Sequence, residues 1–364
     1  MEERINQIAL GLLYGIGPRR AKILVSHIGS LEGVFKEKTT SLGKIPGIGT
    51  IIAQNLKRQD SLNRAERELK FIEQNQIKAH FYTDQSYPKH LSYCEDSPIV
   101  LYSKGKANFN SRKNIAVVGT RKASEYGKQL VKDLLFDLKD FNVQIISGLA
   151  YGIDVTAHQA ALEFKIPTIG VLAHGLDVLY PVAHQSIAKK MQEQGGLITE
   201  FLSETIPDKE NFPKRNRIVA GMSEATIVVE SAQKGGSLIT AGLANDYNRD
   251  VFAYPGNVGR HSSIGCNQLI QKDRAHLITC AQDLIDILGW EKEISTSPVQ
   301  AHVFNNLSQH EVKIVSVLKE KGSTPIDLLS HLSQTKVSDL LVQLFNLEMK
   351  GVIRALPGKC YEFI

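Results

Sequence analysis

The chain has 364 residues, of which 42% are hydrophobic and 22% are charged, and its formal net charge is +5. This composition is ordinary for a globular protein with a sizeable core, and the length predicts two or three domains. No run is long and apolar enough for a membrane span, and the four cysteines form no Cys-x-x-Cys pair. The N-terminus shows no secretory signal, so we expect a cytoplasmic protein with reduced thiols and no membrane partner.

Residues 1–70 predict a small, all-helical module that carries excess positive charge, with 12 Lys/Arg against 7 Asp/Glu. Residues 14–21 and 45–53 share an apolar–Gly–apolar–Gly pattern, with an Ala four residues after the second Gly. The pattern resembles the helix-hairpin-helix motif, whose hairpin offers backbone N–H groups to a nucleic-acid phosphate. Two hairpins that pack on each other without a ligand, or that contact another protein, would carry the same pattern.

Residues 71–290 predict an α/β domain with a Rossmann-like parallel sheet, because short apolar runs alternate with segments of helical periodicity. The run Ile115–Val118 is typical of a strand covered on both faces. Gly119, Thr120 and Arg121 follow it, ahead of a helix predicted over 124–139. We expect an anion site there, formed by free backbone N–H groups and the helix N-terminus. A solvated Arg121 without a ligand is the alternative.

Two later loops add basic and glycine-rich segments. The stretch 209–217 holds four basic residues and Phe212, and a helix is predicted after it, from Ile218 to Met222. Cations that follow phosphates and a ring that stacks on an unpaired base are what single-stranded nucleic acid needs. The loop 234–237 supplies free N–H groups, a hydroxyl and a lysine. The predicted DNA-binding residues are Gly119, Thr120, Arg121, Lys209, Phe212, Lys214, Arg215, Asn216, Arg217, Lys234, Gly235, Gly236 and Ser237.

Phe212 has two interpretations. Pro213 disfavours helical backbone at the residue before it, so we expect an extended Phe212 that projects its ring toward the ligand edge of the sheet. The alternative is a solvated basic helix start with Phe212 in the core.

Other chemistries lack their sequence signatures. No Gly-x-Gly-x-x-Gly follows a strand and no Walker A sequence occurs, so we expect neither a dinucleotide cofactor nor ATP hydrolysis. Asp154 and His158 lie four residues apart on a predicted helix, which more often reflects a helix-start carboxylate and a hydrogen-bonded histidine than a metal site. We therefore expect no metal, no cofactor and no catalytic residue.

The C-terminal part predicts a linker over 291–306 and a winged-helix-like domain over 307–364, with three helices and a hairpin that turns at Pro357–Gly358. The third helix is poor in basic residues. A protein contact or a weak DNA contact is therefore as consistent with this domain as sequence-specific readout.

Residues 118–121, 147–154, 212–217 and 235–238 together resemble the core of the bacterial DNA-processing protein A family (DprA, also called Smf). The resemblance runs through residues 80–290 and implies an extended Rossmann fold and a homodimer that binds single-stranded DNA. It further implies a role in natural transformation, in which the protein protects incoming strands and loads the recombinase RecA onto them. By the same resemblance Arg121 and Lys209 contact phosphates, Phe212 stacks on a base, and the protein is not an enzyme.

The resemblance also implies that the late part of the domain forms the dimer. The apolar residues expected at this interface are Leu269, Ile270 and Leu277. The alternative is that they only close the core of the domain.

An enzymatic alternative shares this Rossmann variant: the lysine-decarboxylase-like phosphoribohydrolases, which cleave nucleoside monophosphates. Their third loop resembles Pro-Gly-Gly-x-Gly-Thr-x-x-Glu. Here Leu238 stands in place of the later Gly and Gly242 in place of the acid, so the carboxylate expected to stabilise a ribosyl cation is missing. Release of adenine from AMP would distinguish the two functions.

Overall fold

The computed structural model describes residues 2–110, 112–291, 307–350, 352–356 and 359–363. The chain divides into two compact units, residues 1–293 and residues 294–364. The predicted linker, apart from Glu291, and the predicted turn at Pro357–Gly358 lie outside the described residues. Among the described helices, none combines the length and the apolar character that crossing a membrane requires.

The helices of the first unit are α1 (Glu2–Leu10), α2 (Pro18–Ile28), α3 (Leu31–Lys36), α4 (Thr39–Leu42), α5 (Gly49–Gln54), α6 (Arg58–Gln74), α7 (Lys89–Ser92), α8 (Glu125–Leu138), α9 (Ile153–Glu163), α10 (Gln185–Gln194), α11 (Asn211–Met222), α12 (Gly236–Asp246), α13 (Ile264–Gln271) and α14 (Ala281–Leu288). The strands are β1 (Lys78–Phe81), β2 (Val100–Gly105), β3 (Lys113–Val118), β4 (Val143–Ser147), β5 (Thr168–Val171), β6 (Gly196–Thr199), β7 (Ala225–Val228), β8 (Asp250–Ala253) and β9 (His276–Leu277).

The nine strands form one sheet in the order β1-β2-β6-β5-β4-β3-β7-β8-β9. Strands β3 to β9 pair in parallel, whereas β1 with β2 and β2 with β6 pair antiparallel. The predicted α/β class with a Rossmann-like parallel sheet is therefore confirmed, and the segment ahead of it adds an antiparallel edge.

Strand β3 is covered on both faces, as its uninterrupted apolar run predicts. Ile115 and Val117 pack into one core with α8 and α9, while Ala116 and Val118 pack into a second core with α11 and α12. Side chains alternate between the faces of a strand, so four consecutive apolar residues serve two cores.

The N-terminal helices pack directly against the antiparallel edge of the sheet. Their apolar core includes Phe81 of β1 and Tyr102 of β2. The buried carboxylate of Glu68 on α6 also accepts hydrogen bonds from the Ser203 backbone N–H at 3.0 Å and hydroxyl at 2.6 Å. The domain boundary predicted at residue 70 falls inside α6, and the helical module shares its core with the sheet.

The second unit has the helix and sheet composition of a winged helix, which confirms that prediction. Its described elements are α15 (Gln309–Lys321), β10 (Thr324–Pro325), α16 (Ile326–Ser333), α17 (Val337–Met349), β11 (Ile353–Leu356) and β12 (Cys360–Phe363). The strands form an antiparallel sheet in the order β10-β12-β11.

Helix α17 carries an exposed apolar stripe that the sequence analysis did not anticipate. Val337, Leu341, Phe345 and Met349 are spaced four apart, so they share one helix face. All four are exposed, Phe345 at 62% and Met349 at 74%. We refer to these four residues as the α17 stripe.

Candidate nucleic-acid interface

A cleft of about 430 Å³ opens at the carboxyl edge of the sheet. After β3 the chain adds β4, β5 and β6 on one side of β3. It then adds β7, β8 and β9 on the other side of β3. Open α/β sheets bind ligands where the strand order reverses in this way. The cleft brings together ten of the thirteen predicted DNA-binding residues: Gly119, Thr120, Arg121, Lys209, Phe212, Arg215, Asn216, Gly235, Gly236 and Ser237.

The N-terminus of α8 is already occupied by a carboxylate of the protein. Glu230, buried at the end of β7, accepts hydrogen bonds from the Ser124 backbone N–H at 2.8 Å and from its hydroxyl at 2.6 Å. The Ser124 hydroxyl oxygen in turn accepts from the Gly127 N–H at 3.1 Å. Ser124 and Glu230 thus engage two of the backbone donors at this helix end, the N–H groups of Ser124 and Gly127, and the anion site predicted there stays a prediction.

The N-terminus of α12 is open instead. Its N-cap residue is Gly235, and no side chain caps the first turn. Gly236 and Ser237 of this turn line the cleft. The first turn of a helix carries backbone N–H groups without helical partners and the positive end of the dipole. The open end of α12 is therefore one anion-binding feature that the fold offers to the cleft, next to the first turn of α11, which also has no side-chain cap.

Arg121 and Phe212 face each other across the cleft. The guanidinium carbon of exposed Arg121 lies 5.2 Å from the centre of the Phe212 ring, within cation–π range. Phe212 is half-buried, and it belongs to none of the apolar clusters formed by the described residues. The Phe212 ring therefore lines the cleft and is not packed in a hydrophobic core.

The backbone of Phe212 differs from the prediction. Helix α11 begins at Asn211 rather than Ile218, so Phe212 and Pro213 lie in its first turn and Phe212 is not extended. A proline is tolerated there because the N–H it lacks would have no helical partner anyway. The expectation of an extended residue was wrong, although the ring does face the cleft.

Arg215 lines the floor of the cleft but is held by internal partners. Its side chain is buried, and one guanidinium nitrogen donates to the Val171 carbonyl oxygen. The buried Asp154 carboxylate lies alongside: a Cβ added to Gly148 would fall within 2.6 Å of both side chains. Burial raises the pKa of Asp154 and lowers the pKa of Arg215, and each group opposes the shift in the other. Arg215 is therefore a buried cation beside Asp154, held by the Val171 carbonyl oxygen, and its predicted phosphate contact stays a prediction.

The segment 147–158 is shaped by close backbone packing. Gly152 has φ +80, and a Cβ there would lie 2.2 Å from the Thr120 carbonyl oxygen, so only glycine fits. His158 lies 2.5 Å from the Gly148 carbonyl oxygen through Nε2, and burial lowers the pKa of His158 to about 4. The Asp154 and His158 spacing thus reflects packing, and the described residues contain no metal-ligating cluster.

Lys214, Arg217 and Lys234 do not line this cleft. Lys214 and Arg217 instead line a cavity of about 490 Å³ next to the α1–α2 loop. There Arg217 pairs with Glu200 and donates to the Asp96 carbonyl oxygen. The division follows from helix geometry, since the early start of α11 turns residues 214 and 217 away from the face of residues 212 and 215. Lys234 is exposed outside the cleft.

Sequence reasoning missed two kinds of residue here. Asp154 was expected to be a helix-start carboxylate rather than a metal ligand, and its place beside Arg215 was missed because the two residues are distant in the sequence. Tyr180, 45% exposed with its ring centre 6.3 Å from that of Phe212, was not among the predicted site residues. It lies nine residues after the end of β5, in the connection to α10, so the available signal was only that this connection follows a strand of the parallel sheet.

Comparison with known families gives three matches along the chain. The family described as "DNA recombination-mediator protein A" matches residues 78–289. A "SAM-like Helix-hairpin-helix tandem" matches residues 13–59, and a "DprA winged helix domain" matches residues 295–359.

Individual relatives agree with these matches. "Protein Smf" of Escherichia coli is 35% identical over 75% of this chain and 74% of its own length. The "DNA processing protein DprA" of Bacillus subtilis is 40% identical over 59% of this chain and 73% of its own length.

Two solved structures are similar. DNA processing protein A from Streptococcus pneumoniae aligns with a TM-score of 0.66 and 31% identity, and the alignment covers 79% of this chain and 98% of that one. DNA processing protein A from Helicobacter pylori, whose structure concerns its single-stranded DNA binding mode, aligns with a TM-score of 0.54 and 28% identity over 59% and 98% of the two chains.

The burial of Arg215 predicts a stability effect that Arg121 does not share. Arg215→Met should lower the free energy of unfolding by about 1–3 kcal/mol, because it removes the hydrogen bond to the buried Val171 carbonyl oxygen and the positive charge beside buried Asp154. Arg121→Met should change the free energy of unfolding by less than about 0.5 kcal/mol, because the side chain is exposed. Urea denaturation measures both. Adding Asp154→Asn to Arg215→Met should recover part of the loss, whereas equal stability of the two single variants would contradict a structural role for Arg215.

Proposed function

The chain belongs to the DNA recombination-mediator protein A family, and from this premise we propose that it binds single-stranded DNA in the cleft and delivers it to the recombinase RecA. The setting that the family resemblance implies is natural transformation, in the cytoplasm. The observation that carries the DNA-binding part is the meeting of an open helix N-terminus, two exposed cations and a half-buried aromatic ring at one edge of the sheet.

Phosphates are bound by the cations and the open helix end. Arg121 and Lys209 are both exposed and line the cleft, and Gly236 presents the uncapped first turn of α12. An arginine makes bidentate contacts to phosphate oxygens, and backbone N–H groups at a helix N-terminus bind the same oxygens. Single-strand phosphates thus follow a path from α12 past Arg121.

Bases are bound by Phe212. A nucleobase that stacks on this ring must present a free face, which a paired base inside a duplex does not. The charge is local as well, since residues 71–297 carry 24 Lys/Arg against 25 Asp/Glu. A domain without overall positive charge gains little binding free energy from long-range electrostatic attraction to a duplex. Both points favour single strands.

The second unit serves as a protein contact in this proposal. The α17 stripe places four exposed apolar side chains on the helix that would enter the DNA groove in a DNA-reading winged helix. Phosphate contacts need cations, whereas exposed apolar patches mark protein interfaces. The recombinase is the partner that the family resemblance supplies.

A homodimer is the assembly proposed for the first unit. Leu277 lies on β9, the edge strand of the sheet, and is 48% exposed. Ile270 is partly buried, and Leu269, at 8% exposure, packs into the second core with α11 and α12. Leu269 therefore closes the core, as the alternative stated, and the proposed interface rests on Leu277 and Ile270. An exposed edge strand offers both apolar surface and unpaired backbone groups to a second copy.

No catalytic step is part of the proposal. Gly242 leaves the third loop without the acid of the phosphoribohydrolase pattern, and the carboxylate that lines the cleft, Asp154, is buried beside the positive charge of Arg215. Release of adenine from AMP by the purified protein would contradict this part of the proposal.

The phosphate contact of Arg121 predicts a change in salt dependence. Arg121→Ala should reduce the slope of log affinity against log salt for a dT oligomer by roughly 0.7, because one phosphate contact is lost. Lys132→Ala, an exposed cation on α8 outside the cleft, is the matched control and should leave the slope unchanged. Fluorescence anisotropy at several salt concentrations gives both slopes. An unaltered slope for Arg121→Ala removes Arg121 from the site.

The edge-strand interface predicts a change in mass. Leu277→Asp should halve the mass measured by light scattering, because it places a charge in an apolar contact. Val258→Asp is the control, since Val258 is 98% exposed and lies outside the strands of the sheet. A folded Leu277→Asp protein that keeps the wild-type mass argues against this interface.

The α17 stripe predicts a separation of DNA binding from recombinase loading. Phe345→Asp should leave single-stranded DNA affinity unchanged but slow the DNA-dependent ATPase of RecA on strands coated with single-strand-binding protein. Val312→Asp, at a 47% exposed apolar position on α15, controls for an added charge in the same unit. Wild-type loading by Phe345→Asp would contradict the protein-contact role.

A further inference from the structure

A second, shallow cavity adjoins the first and continues its lining. The two share Arg121, Ala150, Phe212 and Arg215, and the second adds the loops that follow β4 and β5. Its volume is only about 20 Å³, too small to enclose a nucleobase. Whatever binds there rests on the surface of its walls rather than inside it.

Two exposed tyrosines form those walls. Tyr180 is 45% exposed and Tyr151 is 49% exposed. The Tyr180 and Phe212 ring centres are 6.3 Å apart and the ring planes are tilted by 58°. A base clasped between two rings needs the rings to be parallel, so these two rings present their faces to different bases.

Both tyrosines are held by buried histidines. The Tyr180 backbone N–H donates to Nε2 of His174 at 3.3 Å, and Nδ1 of His174 lies 2.9 Å from the Gly175 carbonyl oxygen. The Tyr151 ring packs edge-on against His184 with centres 4.8 Å apart, and Nδ1 of His184 lies 2.8 Å from the Leu149 carbonyl oxygen. The first contact fixes the backbone that carries Tyr180, and the second fixes the Tyr151 ring itself, so both aromatic surfaces lose less freedom when a ligand binds.

We propose that Tyr180, followed by Tyr151, is a second base-stacking platform that extends the single-strand path beyond Phe212. This inference rests on the proposed DNA-binding function. Among the residues that line the second cavity, the only Lys or Arg side chains are Arg121 and Arg215, both shared with the first cavity. The platform therefore contacts bases and adds no phosphate contact of its own.

Base stacking without a phosphate contact should change the affinity for DNA but not its salt dependence. Loss of a stacked base weakens binding without a change in the number of released counterions. Tyr180→Ala should therefore lower affinity while the salt slope stays at the wild-type value. The loss should appear only with DNA long enough to reach past Phe212.

The experiment is a length series of dT oligomers, from dT3 to dT12, measured by fluorescence anisotropy with the full-length chain. Tyr180→Ala should match wild type on the shortest oligomers that bind and weaken binding of longer ones by roughly 5- to 150-fold. Phe212→Ala should weaken binding at every length. Tyr126→Ala is the control, since Tyr126 is 56% exposed and lines neither cavity.

Tyr180→Leu and Tyr180→Phe distinguish base stacking on an aromatic ring from a general requirement for a large side chain at this position. Tyr180→Phe should retain wild-type affinity, and Tyr180→Leu should be as weak as Tyr180→Ala with an unchanged melting midpoint. Wild-type binding by Tyr180→Ala at all lengths, an equal loss at all lengths, or full affinity in Tyr180→Leu would each overturn the second platform. If Phe212→Ala also binds every length normally, the proposed site itself fails.

Discussion

The carboxylate of Glu230 caps the N-terminus of α8 from within the protein. Glu230 lies two residues after β7, reaches the neighbouring β3–α8 connection, and accepts hydrogen bonds from the backbone N–H and hydroxyl of Ser124. A second anion at that helix end would meet a buried negative charge. At α12, which follows β7, Gly235 provides no capping side chain, and that helix end is open to the cleft. Arg121 lies in the β3–α8 connection, so the hydrogen bonds between Glu230 and Ser124 also fix the loop that carries this cation.

The sequence was sufficient for the parts of the structure that depend on local pattern. Ile115–Val118 predicted a strand covered on both faces, and the glycine-rich loops predicted residues that the structure gathers in one cleft, because both follow from the spacing of a few neighbouring residues. The family motifs predicted the fold class for the same reason. Two sequence-distant loops were predicted to meet because parallel strands end at one edge.

The side-chain assignments within 209–217 were less predictable. Pro213 suggested extended backbone, yet tertiary packing starts α11 at Asn211, and that shift decides which basic residues face the cleft. Arg215 looks like its neighbours in the sequence, but in the fold it is buried beside Asp154, more than fifty residues earlier, and donates to the Val171 carbonyl oxygen. Arg217 likewise forms a salt bridge with Glu200. Charge partners that are distant in sequence decide whether a basic residue is a ligand contact or a structural group.

The central claim is that the cleft binds single-stranded DNA by a few phosphate contacts and by stacking on unpaired bases. A salt-titrated comparison of a single-stranded oligomer with the matching duplex tests it most directly. The account predicts tighter binding of the single strand at every salt concentration, with a slope of about two to three contacts at roughly 0.7 each and substantial affinity left at high salt. Duplex binding that equals or exceeds single-strand binding across the titration would contradict it.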